Sequence, residues 1–326
     1  MSAVPASDSD ILRMRGNVRI PEVSHRPPQI KNLAPRRIEG PIRVVAFNAQ
    51  SGSRFDGILR CLRRAPLAQA SLVLLCEVDL QTRRANGRRV AFDLADALGM
   101  SCAYQPQYAF RYPGGGEGGS VGVAILCATP IIEASTIIVP EPASALRPRP
   151  LALKSLRLVG APLALRARIR LGPKPIEAAV AHLQRRCPPA GRALQIKAIT
   201  KALGERTVLG GDFNTTTTEV SRTETKLSVL RKMIRSPARF RYPQPYEPLF
   251  DYLSKAGFST REANAPGRGT FTFSRFVPPP FRPRLDWIAL RGIETVSGSA
   301  LVVPARSSVF SARVSDHDFI AVDIRP

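Results

Sequence analysis

Histidine is scarce in this chain: there are three in 326 residues. Two of them flank apolar runs. His182 closes Ile176-Glu-Ala-Ala-Val-Ala181, and His317 lies in Ser315-Asp316-His317-Asp318 ahead of Phe319 to Ile324. An imidazole titrates near neutral pH and suits proton transfer or contact with an anionic oxygen, although alone at a strand end it serves equally as a structural hydrogen-bonding group. Between the two histidines, Val208-Leu-Gly-Gly211-Asp212-Phe213-Asn214 breaks a short apolar run at paired glycines into an acid and an amide. In an extended chain i and i+2 project to one side, so Asp212 and Asn214 can converge, the acid accepting a proton or holding a water and the amide donating to an anionic oxygen. The alternative is an Asx turn leading into Thr215 to Thr218. Asp286, inside Arg284-Leu-Asp-Trp-Ile288, needs a partner if buried, and an imidazole is a good one. Glu77 and Asp316 are hard oxygen donors at run ends, suited to Mg²⁺ with waters and a substrate phosphate, or else to solvent.

These groups need a rigid scaffold. Apolar runs predict strands at Ile42 to Phe47, Ser71 to Cys76, Val121 to Cys127, Ile131 to Val139, Leu163 to Leu171, Ile176 to Ala181, Thr207 to Leu209, Leu285 to Leu290 and Phe319 to Ile324. Helical spacing predicts helices over Phe55 to Leu67, Arg89 to Leu98, Gly191 to Leu203, Leu227 to Ile234 and Pro248 to Lys255. The close pairs at 121–139 and 163–181 read as hairpins, which favours two packed sheets with helices outside over a doubly wound parallel sheet. Pro140 to Pro150 and Pro278 to Pro283 read as surface loops, and Gly114 to Gly119 as a flexible turn.

The charge balance points to polyanions. Forty-eight Lys+Arg against 25 Asp+Glu leave +23, which excludes an acidic, halophile-like or disordered acidic protein. Only eight basic residues are lysine, and this arginine preference, beside 30 prolines, also fits a compositional bias. Cys61, Cys76, Cys102, Cys127 and Cys187 are scattered, so thiols in a reducing compartment are expected, with no zinc site. Charged residues interrupt the N-terminal apolar stretches and no run of about eighteen apolar residues occurs. A soluble, cytoplasmic monomer is the expectation. Residues 1–40, rich in proline and arginine, read as a flexible basic arm, and 41–326 as one catalytic domain.

Taken in order, Phe47-Asn48, Leu75-Cys76-Glu77, Gly122 to Leu126, Ala181-His182-Leu183, Gly211-Asp212-Phe213-Asn214, Leu285-Asp286-Trp287-Ile288 and Ser315-Asp316-His317 resemble the endonuclease/exonuclease/phosphatase superfamily, over about Pro41 to Arg325. The resemblance implies a deoxyribonuclease-like α/β fold, a four-layer α/β/β/α sandwich of two mixed sheets, and Mg²⁺- or Mn²⁺-dependent cleavage of a phosphate ester. It implies Glu77 as principal metal ligand, with Asn48 and Asp316 completing the shell directly or through water. Asp212 and Asn214 would orient the attacking water and hold a non-bridging oxygen, His317 paired with Asp286 would be the catalytic histidine, and His182 would contact the phosphate. Either Asp212 or the His317/Asp286 pair would take the proton of water. Gln50, where abasic-site nucleases commonly carry an acid, and Val123, where sphingomyelinase-like members often carry asparagine, depart from those subfamilies.

The expected function is a metal-dependent phosphodiesterase acting on nucleic acid as an endo- or exonuclease. Arg13 to Arg37 of the arm and Arg231 to Arg241 of the 219–241 insertion would bind phosphates without reading sequence. Arg166, Arg168 and Arg170 would extend that lining or form a solvated face. The alternatives are a phosphatase or phosphodiesterase of anionic phospholipid headgroups or small phosphate esters, and an inactive nucleic-acid-binding scaffold.

Overall fold

A computed structural model of the chain describes residues 22–33, 38, 40–112, 116–141, 157–217, 231–232, 234–272, 277–278, 281–306, 308 and 311–325. Its strands are β1 (Gln29–Lys31), β2 (Ile42–Ser51), β3 (Ala70–Leu80), β4 (Ser101–Arg111), β5 (Glu117–Cys127), β6 (Ile131–Ile138), β7 (Arg157–Gly160), β8 (Leu163–Ile169), β9 (Ile176–His182), β10 (Thr207–Asp212), β11 (Asp286–Arg291), β12 (Glu294–Thr295), β13 (Leu301–Val303) and β14 (Phe319–Arg325). Among the described residues they form two mixed sheets. One has the order β1-β4-β5-β3-β2-β14-β12, with β7 on β4 and β13 on β14; the other has the order β11-β10-β9-β8-β6.

Period-two alternation on β2 explains the layering. Val44 and Ala46 face the second sheet, joining Leu72, Leu74, Ile125, Leu165, Val180 and Ile288 in the layer between the sheets. Val45 and Phe47 point the other way and pack with Ile58, Leu62, Val90 and Leu94 of the Phe55–Leu62 and Val90–Leu98 helices. On the far side of the second sheet, Ala179, Ala181, Leu209 and Trp287 pack with Ile196, Ile199 and Leu253 of the Pro189–Ala202 and Leu249–Lys255 helices. Three apolar layers thus separate four layers of structure, the α/β/β/α sandwich expected.

Three expectations need correction. First, Val121 to Val139 is not a hairpin: β5 pairs with β3 and β4 in one sheet, whereas β6 pairs with β8 in the other. Both edges of β5 are already filled, so the chain crosses between sheets after Cys127. The 163–181 pair is an antiparallel hairpin, β8 with β9. Second, the described part of the arm is docked on the first sheet. Glu22–His25 is a helical turn with Val23 and Ser24 buried, and β1 pairs with β4 through Gln29↔Tyr104 and Lys31↔Cys102. Arg26 and Lys31 pair with Glu117 and Asp96 in exposed salt bridges instead of reaching out for phosphates. The rest of the arm, residues 1–21, 34–37 and 39, lies outside the described residues. Third, β4 is an unpredicted eleven-residue strand. Gln105, Pro106 and Gln107 interrupt its apolar pattern, yet all three are buried, and Gln105 and Gln107 donate to Arg26 O and Leu163 O. Residues 227–230 and 233 of the predicted Leu227 to Ile234 helix also lie outside the described residues.

Candidate active site

The register of the second sheet brings three candidate residues together. Asp212, the last residue of β10, lies opposite His182 of β9 and Asp286 of β11. The glycine before it permits this alignment: Gly211 has φ +134°, and a Cβ there would sit 2.2 Å from Ala181 O. Behind the carboxylate, Cys76 Sγ accepts from Asp212 N–H and donates to Ala181 O, both at 3.5 Å, bonding the first sheet to the second.

The first sheet supplies Asn48 and Glu77 at two irregularities. The β2–β3 register shifts between Asn48 and Ser51, the β3–β5 register between Leu75 and Val78, and Glu77 has φ +51°. A bulge re-aims the side chain it carries, and a left-handed residue that is not glycine is held there by its surroundings. Asn48 Nδ2 donates to Glu77 Oε1 at 3.1 Å and to Asp212 Oδ2 at 3.0 Å, clamping the two sheets' acids together. Its Oδ1 accepts the Gln50 N–H at 3.0 Å. In this arrangement Asn48 offers the cluster donors, and its one amide oxygen is engaged elsewhere.

His182 Nε2 lies 3.7 Å from both Glu77 Oε1 and Asp212 Oδ2. His317 Nε2 is 3.7 Å from Asp212 Oδ2, and its Nδ1 lies 2.8 Å from Asp286 Oδ2. Phe271 packs edge-on against the His317 ring, centroids 5.0 Å apart. Asp316 accepts at Oδ1 from the Ser315 hydroxyl at 3.4 Å and donates its N–H to Gln50 Oε1 at 3.2 Å. Its carboxylate falls outside both close groups of ligand atoms, Glu77/His182/Asp212 and Asp212/Asp286/His317.

The candidates therefore converge, with one change of role for Asn214. β10 ends at Asp212, and Asn214 has φ +50°. Its N–H donates to Asp212 Oδ1 at 2.9 Å and its Nδ2 to Leu183 O at 2.8 Å, so the Asx turn, not strand alternation, is what forms. The arginine row on β8 lies away from the cluster: Arg166 and Arg168 are opposite Ala179 and Glu177, towards the far end of β9, and Arg166 bonds Ala202 O.

Sequence reasoning assigned no role to the residues that hold the candidates. Ser315 accepts the His317 N–H at 3.1 Å and donates to Asn48 O at 2.7 Å; its place beside Asp316-His317 was the available signal. Thr270 accepts the N–H groups of Leu285 and Asp286 at 3.0 and 3.1 Å, and no local pattern marks it.

Electrostatics divide the labour. Burial opposes the His317 imidazolium, but Asp286 and then Asp212 outweigh it and raise its pKa from 6.5 to about 10, so the ring carries two protons at neutral pH. Burial raises the Asp212 carboxyl, with His317 opposing. At Glu77 burial is outweighed by His182, the Asn48 donor and His317, and the carboxyl is lowered. For His317 the folded pKa exceeds the unfolded one. Its stabilisation is complete below about pH 6.5 and disappears as pH rises through about 10. In EDTA the melting temperature should therefore fall between pH 7 and 10, and less so in Asp286→Asn. Equal falls in the two proteins would show that the pair does not hold the proton.

The profile of the Endonuclease/Exonuclease/phosphatase family matches residues 45–317. The chain belongs to this family. No curated protein matches the chain. Solved structures of similar fold include a conserved protein of unknown function from Enterococcus faecalis, at 16% identity, TM-score 0.53, covering 87% of this chain and 99% of that one. The human Nocturnin catalytic domain with bound sulfate is 16% identical, TM-score 0.52, over 91% and 97%. The 3′ phosphatase NExo from Neisseria, bound to a product DNA hairpin, is 13% identical, TM-score 0.52, over 87% and 100%.

Members of the Endonuclease/Exonuclease/phosphatase family are phosphoesterases and nucleases, generally dependent on a divalent metal. The residues here fit such an ion. Glu77, His182 and Asp212 each present a ligand atom within 4.8 Å of the others, and two of the three are hard carboxylate oxygens.

Proposed function

We propose that this protein hydrolyses phosphodiester bonds of nucleic acid with a divalent cation, Mg²⁺ or Mn²⁺, held by Glu77 with Asp316 and His182 at its edge. The observation that carries the reading is the cross-sheet cluster itself: two acids bridged by Asn48, with an imidazolium on the far side of Asp212. The cation, when bound, supplies positive charge for a phosphate oxygen and lowers the pKa of water.

The chain's own groups divide the remaining work. Asp212 Oδ2 faces Asn48 and both histidines, which suits it to accept the proton of the attacking water. His317, fixed at Nδ1 by Asp286, turns a protonated Nε2 towards the oxygens that gain charge. His182, one-fifth exposed, contacts the phosphate from the β9 end. Asn214 works through Asp212, whose Oδ1 its N–H holds in place. The net charge of +23 favours a polyanionic substrate, and five free cysteines fit a reducing, cytoplasmic setting. Among the described residues no helix is long and apolar enough to cross a membrane.

The test is hydrolysis of supercoiled plasmid, single-stranded RNA, sphingomyelin vesicles and an inositol phosphate, each with Mg²⁺, Mn²⁺ or EDTA. Nicking or RNA cleavage that EDTA abolishes is expected. Cleavage confined to lipid or small esters would transfer the same chemistry to the alternative substrates, and binding without cleavage of anything would leave a scaffold.

A further inference from the structure

The rim of the cluster on the Glu77 side contains an arginine that the chemistry above does not use. β3 continues past Glu77 to Asp79, whose carboxylate is fully buried. Arg84, from the turn Arg83–Ala85, meets it with a bidentate fork, Nε at 2.6 Å from Oδ2 and Nη2 at 2.8 Å from Oδ1. The Thr82 hydroxyl donates to the same Oδ2 and accepts the Ala85 N–H, which closes the turn. The guanidinium also lies over the Phe110 ring, 5.0 Å from its centroid. Arginine loses much rotamer entropy when ordered; here that ordering is complete before any ligand arrives.

The held group is nevertheless open. The Arg84 side chain is 48% exposed, and its Nη1 makes no hydrogen bond among the described residues. Asp79 follows Glu77 by two positions on β3, so the guanidinium that Asp79 holds stands beside the metal-ligand acid. Arg84 therefore approaches the cluster from the first sheet, whereas Asp212 comes from the second. A phosphate centred on the cluster would have its neighbour along a strand within reach of such a group. Because Asp79 cancels the charge of Arg84 at a distance, what remains is a directed donor, which confers selectivity more than general attraction.

We propose that Asp79 holds Arg84 so that Nη1 binds the phosphate adjacent to the scissile one, making the site selective for substrates with a second phosphate at strand spacing. This rests on the phosphodiesterase reading above, and the experiment separates the two. Thymidine p-nitrophenyl phosphates are compared with and without a second phosphate on the other sugar hydroxyl, in both the 3′ and 5′ series. The wild type should favour the bisphosphate of one series by about tenfold or more in KM, the worth of one charge-assisted hydrogen bond. Arg84→Ala should lose that preference and Asp79→Asn should weaken it. Arg83→Ala, which removes an exposed charge from the same turn, should keep it.

No preference in the wild type, its retention in Arg84→Ala, or an equal loss of rate on both members of each pair would overturn the proposal; the last would mark Arg84 as mere support for Glu77. If Arg84→Ala does not fold because Asp79 is left unpaired, the double variant Asp79→Asn/Arg84→Ala takes its place. If the wild type hydrolyses none of the esters, the phosphodiesterase reading falls, and calorimetry still tests Arg84. Thymidine 3′,5′-bisphosphate should then bind about tenfold tighter than either monophosphate to the wild type and equally to Arg84→Ala; equal binding to the wild type would overturn the site.

Discussion

Asp212→Asn should lower turnover of a phosphodiester by about four orders of magnitude while leaving the protein folded. The change removes one negative charge and the ability to take a proton, at the atom where the site's contacts meet. Asp212 Oδ2 accepts from Asn48 and faces His182 and His317, and Oδ1 accepts from Asn214. Asparagine keeps the volume, so the backbone irregularities around Glu77 and Asn214 have no packing reason to relax. Burial already disfavours the Asp212 charge, but one side of the new amide must face the Asn48 or the Asn214 donor, so thermal stability in EDTA should fall only modestly as activity disappears. The measurement is initial rate with Mg²⁺ beside the melting temperature in EDTA. A variant within tenfold of the wild-type rate would remove Asp212 from the chemistry; one that loses fold and activity together would make it structural.

Glu247→Ala should cost about 3–5 kcal/mol of stability, the scale for removing one partner of a buried ion pair. Arg192, on the Pro189–Ala202 helix, and Glu247 both have side chains with no exposure, joined by Nη2 to Oε1 at 2.5 Å and Nε to Oε2 at 3.1 Å. Glu247 Oε1 also accepts the Thr217 N–H at 2.7 Å. Thr217 has φ +55° and follows the Asn214 turn, so this pair anchors the loop that leaves the site. Alanine would leave a buried guanidinium whose remaining acceptor among the described residues is Cys187 O. Total stabilities of domains are about 5–15 kcal/mol, so a large share would be lost. Arg192→Met/Glu247→Leu, which removes both charges and keeps volume, should recover much of it. The readout is the urea midpoint at constant slope; a shift worth under about 1 kcal/mol would mean that solvent reaches the pair.

Part of this site could be read from the chain because His182 and Asp212 end strands and Asp316-His317 precede one, and strand ends follow from local apolar pattern, whereas Asn48 and Glu77 lie within β2 and β3. Gly211-Asp212 and His182 were found that way and Asp286 as an acid inside an apolar run, and the shared register of β9, β10 and β11 then had to align them. What could not be read depends on contacts between distant segments. Asp212 and Asn214 form a turn because Leu183 O draws the Asn214 amide away, a partner 31 positions earlier. The orientation of Asn48 depends on the Gln50 N–H and on two acids from different sheets. β4 escaped notice because buried glutamines whose amides donate to Arg26 O and Leu163 O look like loop residues in isolation. The docked Gln29–Lys31 strand escaped for a related reason: its three residues are exposed, and its order comes from backbone pairing with β4, not from side-chain burial. The 121–139 misreading reflects the same limit, since two adjacent strands with a short link pair with each other only if an edge is free.

The return of the chain to its starting sheet has a bearing on biosynthesis. β2 takes β14 as its antiparallel neighbour, with Arg43 and Asp323 forming an ion pair across 280 positions, and Ser315 bonds Asn48 O across 267. A ribosome releases β2 and β3 first, and they wait with one flank of β2 bare while the whole second sheet is made. Such long-range closure is slow compared with local pairing. Asn48, Glu77 and Asp212 can meet before then, but His317 arrives only with the strand that seals the sheet. A nascent chain is thus expected to hold an incomplete cluster until β14 pairs with β2.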